Sequence, residues 1–524
     1  MIEINTKNTA LVSPAPVIDK PSKTLIALAF ALFGFALWVT IQFAAQPLLE
    51  AYGFRQTQTA LTSYWFMKDG FKLAYETPVA GAPWSIPFEF PLYQWLAAEI
   101  AGIMGWPLGA VGRVLSFVFL AACLWPAAAI TKKLSLNSNV FWLFACLLFS
   151  SPLYLFWGRS FLIETMALFF AFAFIPFVIQ LQRYPQSLTA ASLAALFMTL
   201  ALLQKVTTGL PVLGVMSLSY LFSQAARRPK IIPSLRAMVA FLFAFVLPFI
   251  IAMGWTYYSD QVKSENALGI QLTSAALRGW NFGSLSQRLT LPFWAEVVWQ
   301  RVVEGNLNGL FGLFLISNAI FFTKDVVARW TIAAAVAVFM LSMLAFTNLH
   351  YVHDYYQTSA TLFLIGALAI AVAYSRNLQL NSWTVTAIAI LLIAGNLYQF
   401  HKHYWKSLHA TFPVTENRTM AIAEIIRANT PPNSAFVAFG NTWNSEISYY
   451  AERKSFTVPE FFNAYERAWT HPEEFLGGAP LGAIVVCPAE RGPAMQAVDE
   501  RLEKDLSALI LEAHGCKVLL HKNF

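Results

Sequence analysis

The sequence predicts a polytopic α-helical membrane protein with about eleven transmembrane helices and a small soluble α/β domain at its C-terminus. Three observations predict this fold class. Hydrophobic residues make up 57% of the 524 residues and charged residues 12%, against roughly 45–50% and 25% in soluble proteins. Apolar stretches long enough to cross a bilayer recur up to His409. Beyond His409 the share of charged residues roughly doubles.

The same composition excludes several classes of protein. A soluble enzyme of this length could not bury so much apolar surface, and four cysteines are too few for a disulfide-stapled scaffold. The net charge of +7 divides into 25 basic and 14 acidic residues up to His409, and 10 and 14 after it. Because the basic excess lies in short loops between apolar stretches, anionic lipid explains it and no nucleic-acid partner is expected.

Eleven apolar segments are predicted to span the membrane. They cover residues 24–43, 107–130, 139–156, 161–181, 188–203, 206–222, 237–257, 307–322, 331–348, 356–374 and 382–400. Basic residues gather in alternate loops, at Lys7, Lys20, Lys23, Lys132, Lys133, Arg183, Arg227, Arg228, Lys230, Arg236, Lys324, Arg329 and Arg376. The positive-inside rule makes these loops cytoplasmic.

This topology divides the chain into three parts. Residues 1–23 form a cytoplasmic tail, residues 24–409 a membrane module, and residues 410–524 a soluble domain on the outer side. The long loops 44–106 and 258–306 also face outward, so a bacterial inner membrane with a periplasmic C-terminal domain is expected. In that domain, a helix at MAIAEIIRAN is followed by strands at AFVAFG, LGAIVVC and CKVLL, with helices between them at NSEISYYAE and at residues 494–506. Strands alternating with helices predict a mostly parallel sheet. Spacing leaves open whether Cys487 and Cys516 pair.

The first long loop holds a cation and a carboxylate in apolar surroundings. Arg55 lies in GFRQTQTA, where its planar guanidinium suits either a substrate phosphate or a lipid headgroup. Glu89 lies between two phenylalanines in PFEFP. Carboxylates in such surroundings often act as acid or base, and an ordinary loop salt bridge is the alternative interpretation.

Three charged residues lie at the outer ends of predicted spans. Glu164 falls in the first turn of one span, where an ionisable side chain indicates a functional site. Arg159, five residues earlier, is its candidate ion-pair partner. Lys205 in LLQKVTTGLP is flanked by apolar helix on both sides, and either snorkels to the surface or binds an anionic headgroup.

The segment NLHYVHDYYQT carries the remaining candidate groups. His350 and His353 would share a face if this stretch were helical, and Asp354 is adjacent. A His–Asp pair suits a base with its orienting carboxylate, or ligands to a divalent metal ion. The tyrosines around them equally fit an aromatic belt at the membrane surface.

The order of these parts resembles the GT-C fold glycosyltransferases, of the protein mannosyltransferase and lipid A aminoarabinose transferase type. The resemblance covers most of the chain. It rests on one span followed by a long outer loop, then EFPLYQW, Arg113 at the start of the second span, LLQKVTTGLP, HDYYQT and a soluble C-terminal domain.

The resemblance implies transfer of a sugar from a polyprenyl-phosphate donor to an acceptor at the outer face, usually with inversion. In the family an Asp-Glu pair in the first outer loop supplies the catalytic acid, and here Arg55 and Gln56 occupy that place. Three explanations remain open: the base has moved to Glu89 or Glu164, the donor differs, or the protein is a divergent member with altered activity.

The predicted site combines the polar residues near the outer helix ends with the roles that the resemblance implies. The candidate catalytic groups are Glu164, Glu89, His353 and Asp354. The candidate groups for binding phosphate or other parts of the substrate are Arg55, Gln56, Gln58, Arg159, Lys205, His350 and Tyr356. The expected partners are a polyprenyl-phosphate sugar donor, membrane lipid and an acceptor that is a glycolipid, a glycan or a protein. A divalent metal ion is the one cofactor that the pattern allows.

Two other functions fit parts of the pattern. A flippase or transporter of lipid-linked sugars would share the membrane fold, but such proteins often show internal repeats and binding groups near the bilayer midplane. The sequence shows no repeat, and its charges gather at one interface. A non-catalytic lipid-binding partner in a surface-polysaccharide complex fits the missing Asp-Glu pair.

Overall fold

A computed structural model describes residues 21–227, 233–375, 382–487 and 509–520 of the protein. Within these residues, eight helices are long and apolar enough to cross a membrane. They are Lys23–Gln42, Leu108–Lys133, Glu164–Arg183, Val206–Ala225, Leu235–Ser264, Val326–Ala345, Asp354–Tyr374 and Trp383–His403. Three of them are built in segments, with Leu108–Ala122 followed by Leu124–Lys133, a π-helical turn at Leu242–Val246, and a 3₁₀ start at Asp354–Gln357.

Two further spans are each made of two helices that meet at an angle. Asn139–Ser150 and Pro152–Arg159 are bent by 62°, where Pro152 has no N–H to continue the first helix. Phe293–Leu307 and Leu310–Phe322 are bent by 86°. Asn308 and Gly309 between them have positive φ angles of 58° and 65°, a backbone that a right-handed helix cannot contain.

The described residues therefore give eight to ten candidate spans, against about eleven predicted. The segment predicted at residues 188–203 is the apolar helix Leu188–Gln204, whose 17 residues lie at the lower limit of about 17 for a bilayer crossing. The prediction of a long loop over residues 258–306 also fails at both ends. The helix Leu247–Ser264 runs into it, and Phe293–Leu307 is half of a bent span.

Two spans form the centre of the membrane module. In Asp354–Tyr374, 89% of the residues are buried inside the protein, and in Glu164–Arg183 78%, against 33–39% in the other six long helices. A helix that is apolar on all sides belongs in a core. Their first residues, Glu164 and Asp354, lie at the same end of the bundle, because Lys205 pairs with Glu164 and its Nζ lies 3.9 Å from the centre of the Tyr356 ring.

The loops between spans contain shorter helices. The first long loop holds Gly53–Asp69, called the loop helix below, and Leu92–Met104. Between the seventh and eighth predicted spans lie Gly269–Leu272, Arg278–Phe282 and Leu285–Leu289. The remaining short helices of the membrane module are Thr347–Val352 and Trp405–Leu408.

The basic loop residues lie at one set of helix ends, called the basic ends below, opposite to the ends where Glu164 and Asp354 start. The described members are Lys23, Lys132, Lys133, Arg183, Arg227, Arg236, Lys324 and Arg329. Lys7, Lys20, Arg228, Lys230 and Arg376 lie outside the described residues, as do residues 1–20 of the predicted cytoplasmic tail and the helix predicted at residues 494–506.

The C-terminal domain contains a five-stranded sheet in the order β2-β1-β3-β5-β4. The strands are β1 (Ala435–Phe439), β2 (Lys454–Val458), β3 (Leu481–Val486), β4 (Leu509–Ala513) and β5 (Cys516–Leu520). The domain's helices are Arg418–Asn429, Glu446–Ala451, Tyr465–Thr470 and Pro472–Phe475. The prediction is confirmed for helix Glu446–Ala451 and for strands β1, β3 and β5. A disulfide joins Cys487 and Cys516, the pairing that spacing alone left open.

The prediction of a mostly parallel sheet is half correct. Strand β1 pairs in parallel with β2 and β3, but β5 pairs antiparallel with β3 and with β4. The two unpredicted strands are β2 and β4. Strand β4 turns back into β5 through His514 and Gly515, which both have positive φ, as tight hairpin turns of type I′ require.

The C-terminal domain packs against the first long loop. The edge of β2 is covered by residues 78–81: Ser455 N donates to Pro78 O at 3.0 Å and Thr457 N donates to Val79 O at 2.9 Å. Covering an edge strand in this way satisfies backbone groups that would otherwise be free to pair with another chain.

The same domain holds the loop helix by its side chains. Ser445 Oγ donates to Phe54 O at 2.8 Å and lies 2.8 Å from Thr57 Oγ1. Tyr64 Oη donates to Glu452 Oε2 at 2.9 Å. The loop helix is therefore fixed between the membrane module and the C-terminal domain.

Candidate functional site

The loop helix presents Arg55, Gln56 and Gln58 from its first turns. The chain enters this helix through Tyr52, whose left-handed backbone (φ 43°) is uncommon for a bulky residue. The Tyr52 hydroxyl donates to Val352 O at 2.9 Å. This bond ties the start of the loop helix to the HDYYQT segment, 300 residues further along the chain.

Arg55 forms an ion pair with Glu89 through Nη2, and its Nη1 donates to Gln58 Oε1 at 2.5 Å. The salt bridge that was the alternative interpretation of Glu89 is therefore present. Burial acts to lower the pKa of Arg55, but Glu89 and Tyr355 raise it above its ordinary value, so the guanidinium stays charged. The side chains of Arg55 and Glu89 keep 14% and 20% of their surface exposed, which leaves both within reach of a ligand.

Glu89 is held in place through its backbone. The hydroxyl of Tyr75 donates to Glu89 O at 2.9 Å and accepts from Phe88 N at 2.7 Å. Trp255, on the span Leu235–Ser264, donates from Nε1 to Phe88 O at 2.9 Å. Hydrogen bonds from Tyr75 in the loop and from Trp255 in the membrane helix therefore fix the backbone that carries the Glu89 carboxylate.

Glu164 and Lys205 form a second ion pair, and this one is buried. Glu164 is the first residue of the central helix Glu164–Arg183, and Lys205 is an extended residue between Leu188–Gln204 and Val206–Ala225. Their side chains are 2% and 4% exposed. Lys205 Nζ also lies 3.9 Å from the centre of the Tyr356 ring, a cation–π contact. Among the described residues, Glu164 Oε2 has no hydrogen-bond partner.

The two ion pairs are joined through the backbone beside Glu89. Phe90 N donates to Leu203 O at 2.9 Å, and Gln204 Nε2 donates to Phe90 O at 2.7 Å. The residue after Glu89 is therefore bonded to the two residues before Lys205.

The histidine segment joins the same cluster, but not as predicted. The helix Thr347–Val352 ends before His353, which is extended, so the two histidines do not share a helix face. His350 is buried with Nε2 3.2 Å from Ser342 Oγ. In the part of the chain that is described, His353 Nδ1 and Asp354 Oδ1 lack hydrogen-bond partners, so the expected bond between a base and its orienting carboxylate is not formed.

His353 lies close to both cations. Burial, together with the positive charges of Lys205 and Arg55, lowers its pKa to about 4. Its ring stacks on those of Tyr355 and Tyr356, with centroids 5.3 and 5.9 Å apart. His353 is therefore a neutral hydrogen-bonding group at neutral pH.

These contacts define one polar cluster that consists of Arg55, Glu89, Glu164, Lys205 and His353. Its members come from the first loop, a central span, a helix junction and the segment after the span Val326–Ala345. The cluster lies at the helix ends opposite the basic ends. It combines two cations, two carboxylates and a neutral imidazole.

A fully buried group of charges beside the cluster was not predicted. Glu50 pairs with Arg113 and, at 3.4 Å, with Arg159, and none of the three side chains is more than 1% exposed. Arg159 thus bonds to Glu50 and not to Glu164. Arg113 also donates to Pro47 O at 3.1 Å, which pins the turn after the first span. The available signal in the sequence was a carboxylate eight residues after the end of that span.

Gln56 is buried between backbone groups. Its Nε2 donates to Ala51 O at 2.9 Å and its Oε1 accepts from Phe161 N at 3.1 Å. Gln56 and Arg159, predicted to bind substrate, are therefore both engaged with the protein interior. His350 is likewise enclosed, with 1% of its surface exposed, and burial together with the charge of Lys205 lowers its pKa to about 3.

The histidine segment does not gather ligands for a metal ion. In the described ranges, no group of three or more His, Cys, Asp and Glu side chains comes close enough to hold one. Asp354 instead lies near Arg301, whose Nη1 donates to the backbone oxygens of His350 and Tyr351 at 3.2 and 3.1 Å.

No protein-family model matches the sequence, and no curated protein matches it. Solved structures do match. ArnT from Cupriavidus metallidurans bound to undecaprenyl phosphate is 13% identical, with a TM-score of 0.62 over 95% of this chain and 98% of that chain. The Archaeoglobus fulgidus oligosaccharyltransferase AglB, in complex with an inhibitory peptide and a dolichol-phosphate, is 12% identical, with a TM-score of 0.53 over 96% and 75%.

A third structure, the arabinofuranosyltransferase AftD from Mycobacteria, is 14% identical with a TM-score of 0.55. The alignment covers 94% of this chain but 40% of that much longer one. These matches span nearly the whole chain, from the first helix to the C-terminal domain. The chain has the GT-C glycosyltransferase fold.

Arg55 and Gln56 stand where the resemblance implied an Asp-Glu pair. Glu50 before them and Glu89 after them both bind arginines, but only Glu89 of these two retains exposed surface. Glu50 is therefore a buried carboxylate that holds the loop in place, whereas Glu89 is a partly exposed carboxylate beside Arg55.

Proposed function

We propose that the protein transfers a sugar from a polyprenyl-phosphate donor to an acceptor at the membrane face where the polar cluster lies. The observation that carries this proposal is the cluster itself: two cations and two carboxylates in two ion pairs at the end of a GT-C membrane bundle. An anionic headgroup on a lipid tail needs cations at the interface, and glycosyl transfer to a hydroxyl needs a base beside them.

Arg55 and Lys205 bind the donor phosphate in this proposal. A guanidinium binds phosphate oxygens with two parallel hydrogen bonds, and Arg55 has its second partner, Gln58, within 2.5 Å to orient it. Lys205 lies against the Tyr356 ring, which holds its ammonium while the phosphate arrives. Each cation has a carboxylate partner, which the phosphate partly replaces.

Glu89 is the base in this proposal. Its carboxylate takes the proton of the acceptor hydroxyl as that oxygen bonds to the anomeric carbon. The bond between the anomeric carbon and the phosphate oxygen breaks, and its electron pair leaves with polyprenyl phosphate. Arg55 and Lys205 stabilise the negative charge that develops there. A single displacement of this kind inverts the anomeric configuration.

The remaining members of the cluster orient the reactants. Glu164 fixes Lys205 from the buried side, because its own side chain is only 2% exposed. His353 donates or accepts a hydrogen bond with the sugar as a neutral ring, and Asp354, with its unpartnered Oδ1 among the described residues, offers a second acceptor nearby. Gln56 and Arg159 maintain the loop on which Arg55 is carried.

The proposal places the basic ends in the cytoplasm, following the positive-inside rule. The polar cluster and the C-terminal domain then face the periplasm of a bacterial inner membrane. The acceptor is a glycolipid, a glycan or a protein that reaches this face, and the donor enters from the bilayer.

Turnover of a lipid-linked sugar by the purified protein tests the proposal. Mass spectrometry of co-purified lipid first identifies the carrier and its sugar. Incubation of that lipid-linked sugar with the protein and envelope extract should then release polyprenyl phosphate and a glycosylated product. Release that is equal with and without the protein would refute a transferase. Movement of intact donor across a vesicle membrane would indicate a flippase, and binding without turnover a non-catalytic partner.

A further inference from the structure

A second candidate ligand site lies at the basic ends, far from the polar cluster. It is a cavity of about 480 Å³, within the roughly 300–1,000 Å³ that is typical of small-molecule sites. Its walls come from six different helices and are mainly apolar, with Phe144, Phe172, Val338, Phe363 and Ile370 among them.

The cavity opens to the outside of the bundle at Trp330. This residue lines the cavity and is 72% exposed. Tryptophan is enriched where a membrane protein meets the headgroup layer. An apolar cavity that opens at this level can admit the hydrocarbon chain of a lipid from the surrounding leaflet.

Cations surround the cavity on the side of the basic ends. Gln182 lines it, and its neighbour Arg183 donates to Lys133 O. Arg227 donates to Gln182 O and, at 3.2 Å, to Arg183 O. Arg183 and Arg227 are exposed, and in the ranges that the structure covers neither lies within 4 Å of a carboxylate. Lys324 and Arg329 flank the part of the wall formed by a neighbouring span.

The charge balance of this region favours an anionic ligand. The described part of the basic ends contains one acidic residue, Asp325, and its carboxylate is used to cap its own helix by accepting from Ala328 N at 3.0 Å. Among the described residues, Arg183 and Arg227 therefore have no carboxylate nearby to balance their charge. Each Lys or Arg near a membrane surface strengthens attraction to anionic lipid by about fivefold.

We infer that this cavity binds an anionic phospholipid, with an acyl chain between the helices and the phosphate headgroup on Arg183 and Arg227. The lipid would fill the space between the central helices and the span Val326–Ala345. This site is separate from the donor site and does not depend on the proposed transferase activity.

Gly366 offers a direct way to fill the cavity. It lines the wall, and a Cβ added there meets no atom within 4 Å. Gly366→Leu would place a side chain where we expect the acyl chain. Gly34→Leu is the matched control, because Gly34 also has open space around it but lies on an exposed face of the first helix.

Native mass spectrometry of the full chain, titrated with phosphatidylglycerol or phosphatidylcholine, tests the inference. We expect phosphatidylglycerol to bind at least tenfold more tightly than phosphatidylcholine. Gly366→Leu should weaken binding of both lipids by about tenfold, whereas Gly34→Leu should change neither. Equal affinities of the two lipids for the wild-type chain would overturn the inference, and so would equal effects of the two glycine substitutions.

The headgroup is tested separately on exposed side chains, where folding is not at risk. Arg183→Gln with Arg227→Gln should remove most of the preference for phosphatidylglycerol and leave phosphatidylcholine binding unchanged. The control removes two exposed charges from the opposite helix ends, Lys402→Gln with Lys406→Gln, and should keep the preference. If Gly366→Leu instead blocked undecaprenyl phosphate and spared phosphatidylglycerol, the cavity would hold a polyprenyl tail and the inference would be wrong.

Discussion

Phe90 N donates to Leu203 O at 2.9 Å, so the segment that carries Glu89 is bonded to the segment that carries Lys205. The two residues belong to ion pairs with different partners, Arg55 and Glu164. Because the pairs are coupled through backbone rather than through mobile side chains, their spacing is fixed. A substrate phosphate that reaches one cation is thereby placed near the other.

Glu89→Gln separates binding from chemistry. The amide keeps the size of the side chain and can still accept a hydrogen bond from Arg55, but it cannot take a proton. We expect sugar transfer to fall by about 10²-fold or more, while binding of undecaprenyl phosphate is retained. The exposed Glu99, which accepts from Trp95 Nε1 at 3.0 Å, provides the control Glu99→Gln. Wild-type transfer rates in Glu89→Gln would exclude Glu89 as the base.

Glu164→Gln should damage stability more than Glu89→Gln does. It leaves Lys205 charged and buried without a carboxylate, a change that typically costs about 3–5 kcal/mol. Thermal unfolding in detergent would show a large drop in Tm. Glu424→Gln, which breaks the exposed pair with Arg427, should alter Tm very little. If Glu164→Gln and Glu424→Gln unfold at the same temperature, the ion pair between Glu164 and Lys205 does not stabilise the fold.

The sequence located most spans of the membrane module because these helices are largely apolar, but it did not show that two spans are bent. It also identified Arg55, Glu89, Glu164 and Lys205, since a charge beside an apolar stretch is conspicuous. It did not show how these charges pair. Partners such as Glu164 and Lys205 lie 41 residues apart, and only the packing of helices decides which cation meets which carboxylate.

Glu50 and strand β4 were both overlooked, for different reasons. Glu50 looks like an ordinary loop acid, but two arginines from other spans bury it completely, and local spacing carries no trace of these partners. Strand β4, LILEA, is mostly apolar and lies at the edge of the sheet. Its residues do not alternate between apolar and polar, which is the pattern typical of a half-buried strand.

Gly112→Ala should disturb the loop on which Arg55 is carried. A Cβ at Gly112 would lie 2.4 Å from the Phe161 ring, and Phe161 N is the donor to Gln56 Oε1. Overpacking of this kind costs about 1–3 kcal/mol, measurable as a lower Tm, and should also reduce transfer. Gly102→Ala, on an exposed helix face with open space around it, is the control and should be neutral or slightly stabilising. A neutral Gly112→Ala variant would argue against this tight packing.

Stability should depend on pH through His353. Its pKa is about 4 in the folded protein against an ordinary value of 6.5, so the unfolded state binds more protons between these values. Stability is thus complete above about pH 6.5 and falls as the pH drops toward 4, by about 1 kcal/mol at pH 5.5. His353→Gln should reduce the loss of Tm between pH 7.5 and 5.5. His471→Gln, at an exposed site in the C-terminal domain, should leave that loss unchanged, and an identical loss in both variants would contradict the prediction.

Binding of undecaprenyl phosphate to the purified chain tests the central claim most directly. Arg55→Gln and Lys205→Gln each remove one charge-assisted contact to phosphate, so we expect each to weaken binding by about tenfold or more. Lys68→Gln removes a cation from the far end of the same loop helix and should bind like the wild-type chain. If all three variants and the wild-type chain bind undecaprenyl phosphate with equal affinity, the polar cluster does not hold the phosphate and the account is wrong.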